Sequence, residues 1–337
     1  MRFPERGSFL KKTVVFSLIF VLALLTGCEK QGAGSVRATY LDLFDTVTTL
    51  TVYAAGEADV SRIVQDSYAR LNDVFDAYAP HEGVDGLYQL NRAGGEWTAV
   101  DADLLNLILL CRSWREVAPE LDVTRGALFE LWRAFRDGER DLPTYDELSA
   151  AYAHGGWENV EIDEAGSRAR ILDPEMRIDL GAVAKGYSAG KLAEALEAAG
   201  FDSYIIDAGG NVVTGARKDP FVIGVTNPRG DGLVLKLSME NMAAVTSGDY
   251  QRYRELNGVR YHHIIDTATL YPADHGIAQV TVISTDSAYA DFLSTTIFLM
   301  DYDAGRAFAD ENGLSVVWVT DGGEILTTDG AQQMVVN

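Results

Sequence analysis

Apolar positions follow two spacings along the chain, one typical of strands and one typical of helices. Residues 46–53, TVTTLTVY, are β-branched and aromatic and predict a strand. Residues 59–78 place apolar side chains at helical intervals and predict an amphipathic helix. The same order returns at 178–180 and 182–199, where Gly200 supplies a helix C-cap.

The second half of the chain continues this mixture. Its apolar runs predict strands at 204–206, 221–225, 280–284 and 315–320, and a helix at 288–300. No repeat or Pro-rich linker interrupts residues 39–337, which we expect to form one catalytic domain. We therefore predict an α+β fold of mixed, mainly antiparallel sheets with packed helices, in one compact two-lobed unit.

The charge balance is strongly acidic. The 337 residues hold 28 Lys and Arg against 50 Asp and Glu, a formal net charge of −22, and 47% are apolar. The apolar share excludes a disordered chain. Because nucleic-acid binding needs clustered Lys and Arg against the phosphates, we expect no nucleic-acid partner.

The N-terminus resembles a bacterial lipoprotein signal. Basic side chains in residues 1–12 precede an apolar run at 13–25, and Leu-Thr-Gly-Cys ends at Cys28 in the lipobox order. We therefore expect residues 1–27 to be removed, Cys28 to carry lipid and residues 28–38 to form a tether. The body would then lie outside the cytoplasm, anchored to a bacterial membrane. The alternative is an ordinary signal peptide whose cleavage region happens to contain Cys.

Residues 104–111 form a second strongly apolar run. Its length fits a buried helix and is too short for a membrane span. Cys111 at its end is then an inert core residue, without a disulfide partner once Cys28 is lipidated.

Residues 177–187 combine a carboxylate, a glycine turn and a lysine at the predicted start of a helix. Free backbone N–H groups and the helix dipole suit such a place to an anion, with Asp179 and Lys185 beside it. An ordinary strand-to-helix turn fits the local pattern equally well. Gly209 and Gly210 either let a ligand approach the backbone closely or form a tight turn.

Two further groups carry titratable or oxygen-donor side chains. His262 and His263 are adjacent in a predicted strand, so only one can face a cleft, and a structural histidine is the favoured interpretation of either alone. Asp291 and Thr295 lie one helical turn apart and could share Mg²⁺. A hydrogen bond between them on a solvated helix is the simpler interpretation.

Taken together, five segments resemble the FAD:protein FMN transferase family, the ApbE-type flavin transferases. They are IDLGAVAKGY at 178–187, IDAGGNV at 206–212, TSGDYQRY at 246–253, YHHIIDTATLYPA at 261–273 and ADFLST at 290–295. The resemblance covers essentially the whole chain after the signal. It implies a Mg²⁺-dependent enzyme that cleaves its substrate FAD, transfers FMN to a Thr hydroxyl of an extracytoplasmic redox protein and releases AMP.

The resemblance also implies roles for individual residues. It makes Asp291, Thr295 and the backbone carbonyl of Ala182 the Mg²⁺ ligands, and Asp291 and His263 the catalytic residues, with His263 as the candidate for proton transfer. The FAD contacts that it implies are Phe44, Tyr78, Glu120, Leu121, Asp122, Asp179 and Lys185.

The chain departs from the family pattern at three places. Residues 266–272 are DTATLYP where the family usually has DPxTGYP, so we expect a loop of different shape. Phe44-Asp45-Thr46 stands where Met-Gly-Thr is commoner. Ser294 stands where some relatives supply a second acidic Mg²⁺ ligand, a place that water could fill.

Two alternative functions stay open. A related Mg²⁺-dependent FAD pyrophosphatase would use the same site, with water in place of the Thr hydroxyl, and would give FMN and AMP. A non-catalytic flavin-binding lipoprotein needs no metal beside the pyrophosphate, and the Asp291, Thr295 and Ala182 set counts against it.

Overall fold

The computed structural model describes residues 34–337, and the predicted signal and Cys28 lie outside the described residues. Its helices are α1 Glu57–Val64, α2 Arg70–Phe75, α3 Leu87–Asn91, α4 Ala102–Trp114, α5 Gly126–Arg136, α6 Tyr145–Ala153, α7 Ala184–Ala198, α8 Ser287–Phe298, α9 Tyr302–Glu311 and α10 Asp329–Met334. A π-helical turn at Gln65–Ala69 joins α1 to α2. None of the helices in the described range is long and apolar enough to cross a bilayer.

The strands form one large sheet and several small ones. They are β1 Ser35–Leu43, β2 Thr46–Tyr53, β3 Thr98–Ala99, β4 Val160–Asp163, β5 Arg168–Ile171, β6 Tyr204–Ala208, β7 Asn211–Thr214, β8 Phe221–Thr226, β9 Leu233–Met239, β10 Met242–Gly248, β11 Tyr253–Leu256, β12 Val259–His262, β13 Ile265–Asp266, β14 Tyr271–Pro272, β15 Ile277–Ser284, β16 Ser315–Thr320, β17 Ile325–Thr327 and β18 Val335–Val336. The large sheet has the order β1-β2-β6-β7-β10-β15-β16-β17.

Every strand pair among residues 34–337 is antiparallel. The predicted α+β fold with mainly antiparallel sheets is therefore confirmed. β2 and β16 have the predicted bounds, and the other predicted strands and helices lie within a few residues of theirs, apart from the differences below. Cys111 is a buried residue of α4, as expected.

Residues 178–180 form no strand, contrary to the prediction. The Asn91 side chain satisfies the backbone of Ile178 on both sides, since its Nδ2 donates to the Ile178 carbonyl and its Oδ1 accepts from the Ile178 N–H, each at 2.8 Å. The N–H of Asp179 donates to the Val123 carbonyl at 2.9 Å. Because a side chain and a loop take up this backbone, the segment runs without a neighbouring strand.

Two boundaries also differ from the predicted ones. The helix expected to reach residue 78 ends at Phe75, because Asp76 leaves the helical conformation and its carboxylate accepts from the N–H groups of Tyr78 and Ala79. Tyr78 thereby lies in a loop. β1 begins at Ser35 and pairs with β2, so residues 35–38, expected in the tether, belong to the sheet.

The helices α7 and α8 pack against each other, and α8 also packs on β10 and β15. Almost every residue of α8 is buried. Gly186 makes the close approach possible, because a Cβ there would lie 2.3 Å from the Ser287 carbonyl oxygen. This packing brings the predicted oxygen donors of α8 against the first turn of α7.

Candidate active site

A cavity of about 740 Å³ lies where the β1–β2 turn, the loop after α2, the start of α7 and the end of β10 meet. Residues from distant parts of the chain line it, and those used below are Phe44, Tyr78, Leu121, Arg133, Arg136, Asp179, Ala182, Lys185, Ser247, Arg252, His263 and Thr295. The structure therefore collects most of the predicted site residues in one place.

One wall of the cavity holds Tyr78 and Asp179. The Tyr78 hydroxyl donates to one Asp179 carboxylate oxygen at 2.5 Å, and the other oxygen accepts from the Gly181 N–H at 2.8 Å. Burial raises the pKa of Tyr78, and the Asp179 charge raises it further, so the phenol stays protonated. The Arg133 guanidinium lies 3.7 Å from the centroid of the Tyr78 ring, a cation–π contact.

The Asp291 carboxylate lies at the junction of α7 and α8. Its side chain is almost fully buried, and one oxygen accepts from the Gly186 N–H at 2.8 Å. Lys185 Nζ lies 3.8 Å from the same oxygen and donates to the Gly181 carbonyl at 3.2 Å. Burial raises the pKa of Asp291, and the Lys185 charge opposes this shift. The carboxylate is thus partly compensated and would gain from a further cation.

Two buried hydroxyl groups, those of Ser294 and Thr295, follow Asp291 along α8. Thr295 follows Asp291 by one turn of α8, and its Oγ1 lies 2.9 Å from Ser247 Oγ at the end of β10. Ser294 is fully buried and bonds to the same Ser247 oxygen at 2.9 Å. Ala182 lies just before α7 and lines the cavity. The solvated-helix interpretation of Asp291 and Thr295 is therefore wrong, because both are buried.

The two adjacent histidines have different surroundings. His262 is buried in β12, where its Nε2 donates to the Ala273 carbonyl at 2.8 Å and its Nδ1 accepts from the Ile264 N–H at 3.3 Å. These bonds define a neutral, structural imidazole. His263 lines the cavity, and its Nδ1 is buried without a hydrogen-bond partner among the described residues. Burial lowers the pKa of His263 well below 6.5, and the charges of Arg252, Arg136 and Lys185 lower it further.

The remaining predicted FAD contacts divide into two groups. Phe44 lies in the β1–β2 turn and packs on Tyr68. Phe44 and Leu121 both line the cavity. Asp122 is directed elsewhere, since it caps the 3₁₀ turn at Val123–Arg125 through the Thr124 N–H and hydroxyl. Glu120 is not among the cavity-lining residues, and its Oε2 is buried without a hydrogen-bond partner in the described part of the chain.

Sequence reasoning missed the arginines of the cavity. Arg133 and Arg136 lie one turn apart on α5, and Arg252 follows β10, where it donates to the carbonyls of Phe44 and Asp45. The sequence signals were the LWRAFR run at 131–136 and the TSGDYQRY segment, whose bases stand out in an acidic chain. Ser247 is the other missed residue.

No three His, Cys, Asp or Glu side chains among residues 34–337 lie close enough together to hold a metal ion by themselves. Any cation here would depend on a mixed set of oxygen donors, namely the Asp291 carboxylate, the Thr295 hydroxyl and the Ala182 carbonyl. Such hard oxygen donors suit Mg²⁺, which usually takes few protein ligands.

Comparisons with known proteins show the family of the chain. The family model described as the ApbE family matches residues 44–318. An FAD:protein FMN transferase of Vibrio cholerae is 31% identical over 322 residues, 93% of each chain, and one of Klebsiella pneumoniae is 30% identical over 82% of this chain and 87% of its own. The chain belongs to the ApbE family, and the resemblance inferred from its motifs is confirmed.

Solved structures show the same fold. The ApbE protein of Thermotoga maritima superposes with a TM-score of 0.81 at 30% identity, and the match covers 90% of this chain and 100% of that one. The flavin transferase ApbE from Vibrio cholerae superposes with a TM-score of 0.78 at 25% identity over the same shares.

Proposed function

We propose that the protein transfers FMN from FAD to a threonine hydroxyl of an extracytoplasmic redox protein and releases AMP. Relatives that match most of the length of the chain are named FAD:protein FMN transferases. The observation that carries the proposal is the buried Asp291 carboxylate beside Lys185 and the first turn of α7. Lys185 and Thr295 line the adjacent cavity, which has an aromatic wall. Transfer of FMN from FAD needs a charged site for the phosphates next to an aromatic surface for the flavin ring.

The oxygen donors around Asp291 fit Mg²⁺. Asp291, Thr295 and the carbonyl of Ala182 would hold the ion, and the partly compensated charge of Asp291 supports this assignment. When bound, Mg²⁺ would supply neutralisation of the pyrophosphate charge. This neutralisation matters because the chain has a net charge of −22 and otherwise repels an anionic substrate.

The residues of the chain have separate tasks in the transfer. Lys185 and the N–H groups at the start of α7 would orient the pyrophosphate. The acceptor threonine oxygen attacks the FMN-side phosphorus, its proton passes to the neutral imidazole of His263, and the bond from that phosphorus to the AMP oxygen breaks. The low pKa of His263 keeps its ring unprotonated and able to accept the proton.

The aromatic wall would hold the flavin nucleotide. Phe44, Tyr78, Leu121 and Asp179 line the cavity and are the proposed FAD contacts there. Glu120 and Asp122 flank Leu121, and their predicted contacts would need their backbone or a rearranged side chain.

A test incubates the mature chain with FAD, Mg²⁺ and an acceptor domain that carries the flavinylation threonine. AMP release and flavin bound to denatured acceptor are measured for the wild type, Asp291→Ala and the matched control Asp303→Ala, whose exposed side chain lies on α9. We expect covalent flavin with the wild type and Asp303→Ala only.

Other products would contradict the proposal. AMP and free FMN without bound flavin would indicate the pyrophosphatase. Neither product, with FAD still tightly bound, would indicate a flavin-binding lipoprotein.

We also propose that Cys28 anchors the protein to a bacterial membrane, on the lipobox order of residues 25–28. The test compares membrane and soluble fractions of cells that express the wild type or Cys28→Ser. We expect the wild type in the membrane fraction and the variant in the soluble extracytoplasmic fraction. A variant that stays with the membrane would contradict lipidation at Cys28.

A further inference from the structure

Arg136 differs from the other arginines of the cavity in having no protein partner. It lies in the last turn of α5, is half-buried and lines the cavity. Arg133 stacks on Tyr78 and lies near two carboxylates, and Arg252 donates to two backbone carbonyls. Within residues 34–337 the Arg136 guanidinium makes no hydrogen bond, ion pair or cation–π contact.

The surroundings of Arg136 make this arrangement unfavourable without a ligand. Burial lowers the pKa of its guanidinium; Asp137 and Tyr78 oppose this shift, and the charges of Arg252 and Arg133 add to it. The group nevertheless keeps its charge at neutral pH, as arginine does in proteins. A charge that is partly removed from water and has two other arginines nearby is stabilised further when an anion binds.

We propose that Arg136 binds a phosphate group of the nucleotide substrate through its two-pronged guanidinium. The inference rests on the proposed function, because it is that function that brings a phosphate ester into the cavity. The planar fork of arginine matches two phosphate oxygens. Arg136 shares the cavity with the predicted flavin contacts and with His263, which favours the nucleotide over a carboxylate of the acceptor protein.

FAD offers two phosphates, one on its FMN half and one on its AMP half, and the shared chemistry is a phosphate ester. Binding of FAD, FMN, AMP and riboflavin to the full-length protein, measured by calorimetry, distinguishes the sources. Riboflavin has the flavin ring without phosphate, so it separates a ring contact from a phosphate contact.

The variants are Arg136→Gln, which removes the charge, and Arg136→Lys, which keeps the charge without the fork. Arg62→Gln is the matched control, since Arg62 is exposed on α1 and outside the cavity. We expect Arg136→Gln to weaken the binding of FAD roughly ten- to a hundred-fold, and to weaken the binding of either FMN or AMP as well. The binding of riboflavin should not change. Arg136→Lys should recover part of this loss.

A stability measurement separates this role from a structural one. The melting temperature of Arg136→Gln without ligand should equal that of the wild type or exceed it, because an unpaired charge is removed. A large fall would assign Arg136 to the fold and overturn the proposal.

Three other outcomes would also overturn it. If riboflavin binding and FMN binding are weakened equally, Arg136 contacts the flavin ring. If nucleotide binding is unchanged and the KM for the acceptor is higher, Arg136 contacts the partner protein. A wild type that binds none of the phosphate ligands would exclude it outright. Failure of the proposed function is distinguishable, because a wild type that binds nucleotides through Arg136 and transfers no flavin would leave this inference standing.

Discussion

His263 is a half-buried base surrounded by positive charge, and this surrounding decides its protonation. Three cations, on Arg252, Arg136 and Lys185, act on its ring in addition to burial. Each makes the imidazolium less stable, so the neutral ring persists at a pH where a free histidine is protonated. His262, one residue earlier, is held neutral by two hydrogen bonds and faces the protein interior.

The pH dependence of transfer follows from this shift. If His263 accepts the proton, the acidic fall in kcat/KM should lie well below pH 6.5, because the pKa of the group is lowered and the base form survives at lower pH. His263→Gln should reduce kcat/KM roughly 10²-fold or more. The control His275→Gln changes an exposed histidine and should leave the profile unchanged. An acidic limb near or above pH 6.5 would contradict this assignment.

Leu270 has an unusual backbone conformation at one of the departures from the family pattern. Its φ is +69°, in the left-handed region that glycine favours, and it stands at the position where the family pattern has Gly. Leu270 is buried, with 6% of its surface exposed, and its carbonyl accepts a hydrogen bond from Trp132 Nε1 at 2.9 Å. The loop therefore has a backbone conformation that glycine favours, and burial of the leucine side chain offsets the strain.

This strain predicts an inverted order of two substitutions. Leu270→Ala and Leu270→Gly both lose the buried side chain, at about 2–5 kcal/mol, but Gly avoids the left-handed strain. We expect Leu270→Gly to be more stable than Leu270→Ala by about 1 kcal/mol in urea unfolding. At the buried helical Leu105 the order should be the usual one, with Gly less stable than Ala by about 1 kcal/mol. If the Gly variant is less stable than the Ala variant at both positions, the backbone of Leu270 is not strained.

The helices α7 and α8 form the element that builds the Asp291 site. Their apolar and polar spacing predicted both helices, and the ADFLST motif located Asp291 and Thr295. The spacing contains no information on how closely two helices approach, which depends on which side chains are missing at the contact. Gly186 and Gly190 lie one turn apart on α7 and face Ser287 of α8.

Adding a methyl group at this contact should separate the helices. In Gly186→Ala the Cβ would lie 2.3 Å from the Ser287 carbonyl oxygen and 2.6 Å from Asp291 Cβ, both on the neighbouring helix. Overpacking of about 3 kcal/mol outweighs the helix-propensity gain of about 1 kcal/mol. We expect a net loss of about 2 kcal/mol in unfolding free energy and loss of transfer activity.

Two other glycines calibrate this effect. Gly190→Ala meets the Ser287 hydroxyl at 2.7 Å, which can rotate, so its loss should be smaller. Gly322→Ala meets nothing closer than 3.8 Å and should be neutral. Equal stabilities for all three variants, measured by urea unfolding, would show that the helix contact is not close.

At the scale of the whole molecule, the cavity is built from residues 44 to 299 along the chain. The motifs predicted which residues would meet, because they lie in the segments that resemble the family. They could not predict the contribution of Arg136 or Ser247, which depends on how α5 and β10 are placed by the sheets. They also missed the irregular path at Ile178, because a short buried apolar run looks the same in a strand and in a loop held by a side chain.

A ligand that bridges such distant segments should stabilise the whole chain. With FAD at about a hundred times its dissociation constant in the presence of Mg²⁺, the stabilisation is about 2.7 kcal/mol, a rise in melting temperature of roughly 5 °C. Removal of the metal with EDTA should reverse most of the rise, and Asp291→Ala should show no Mg²⁺-dependent part. A wild-type rise that EDTA does not affect would contradict the metal assignment.

The early start of β1 limits how far the enzyme can reach. The chain from Cys28 to Ser35 spans at most about 25 Å when fully extended, and the nine residues of β1 add about 30 Å before Phe44 at the cavity. With Cys28 lipidated as proposed, the catalytic cavity works within about 55 Å of the bilayer surface. Acceptor domains held on the same membrane share this thin layer, so lateral diffusion in two dimensions would govern how often the two proteins meet.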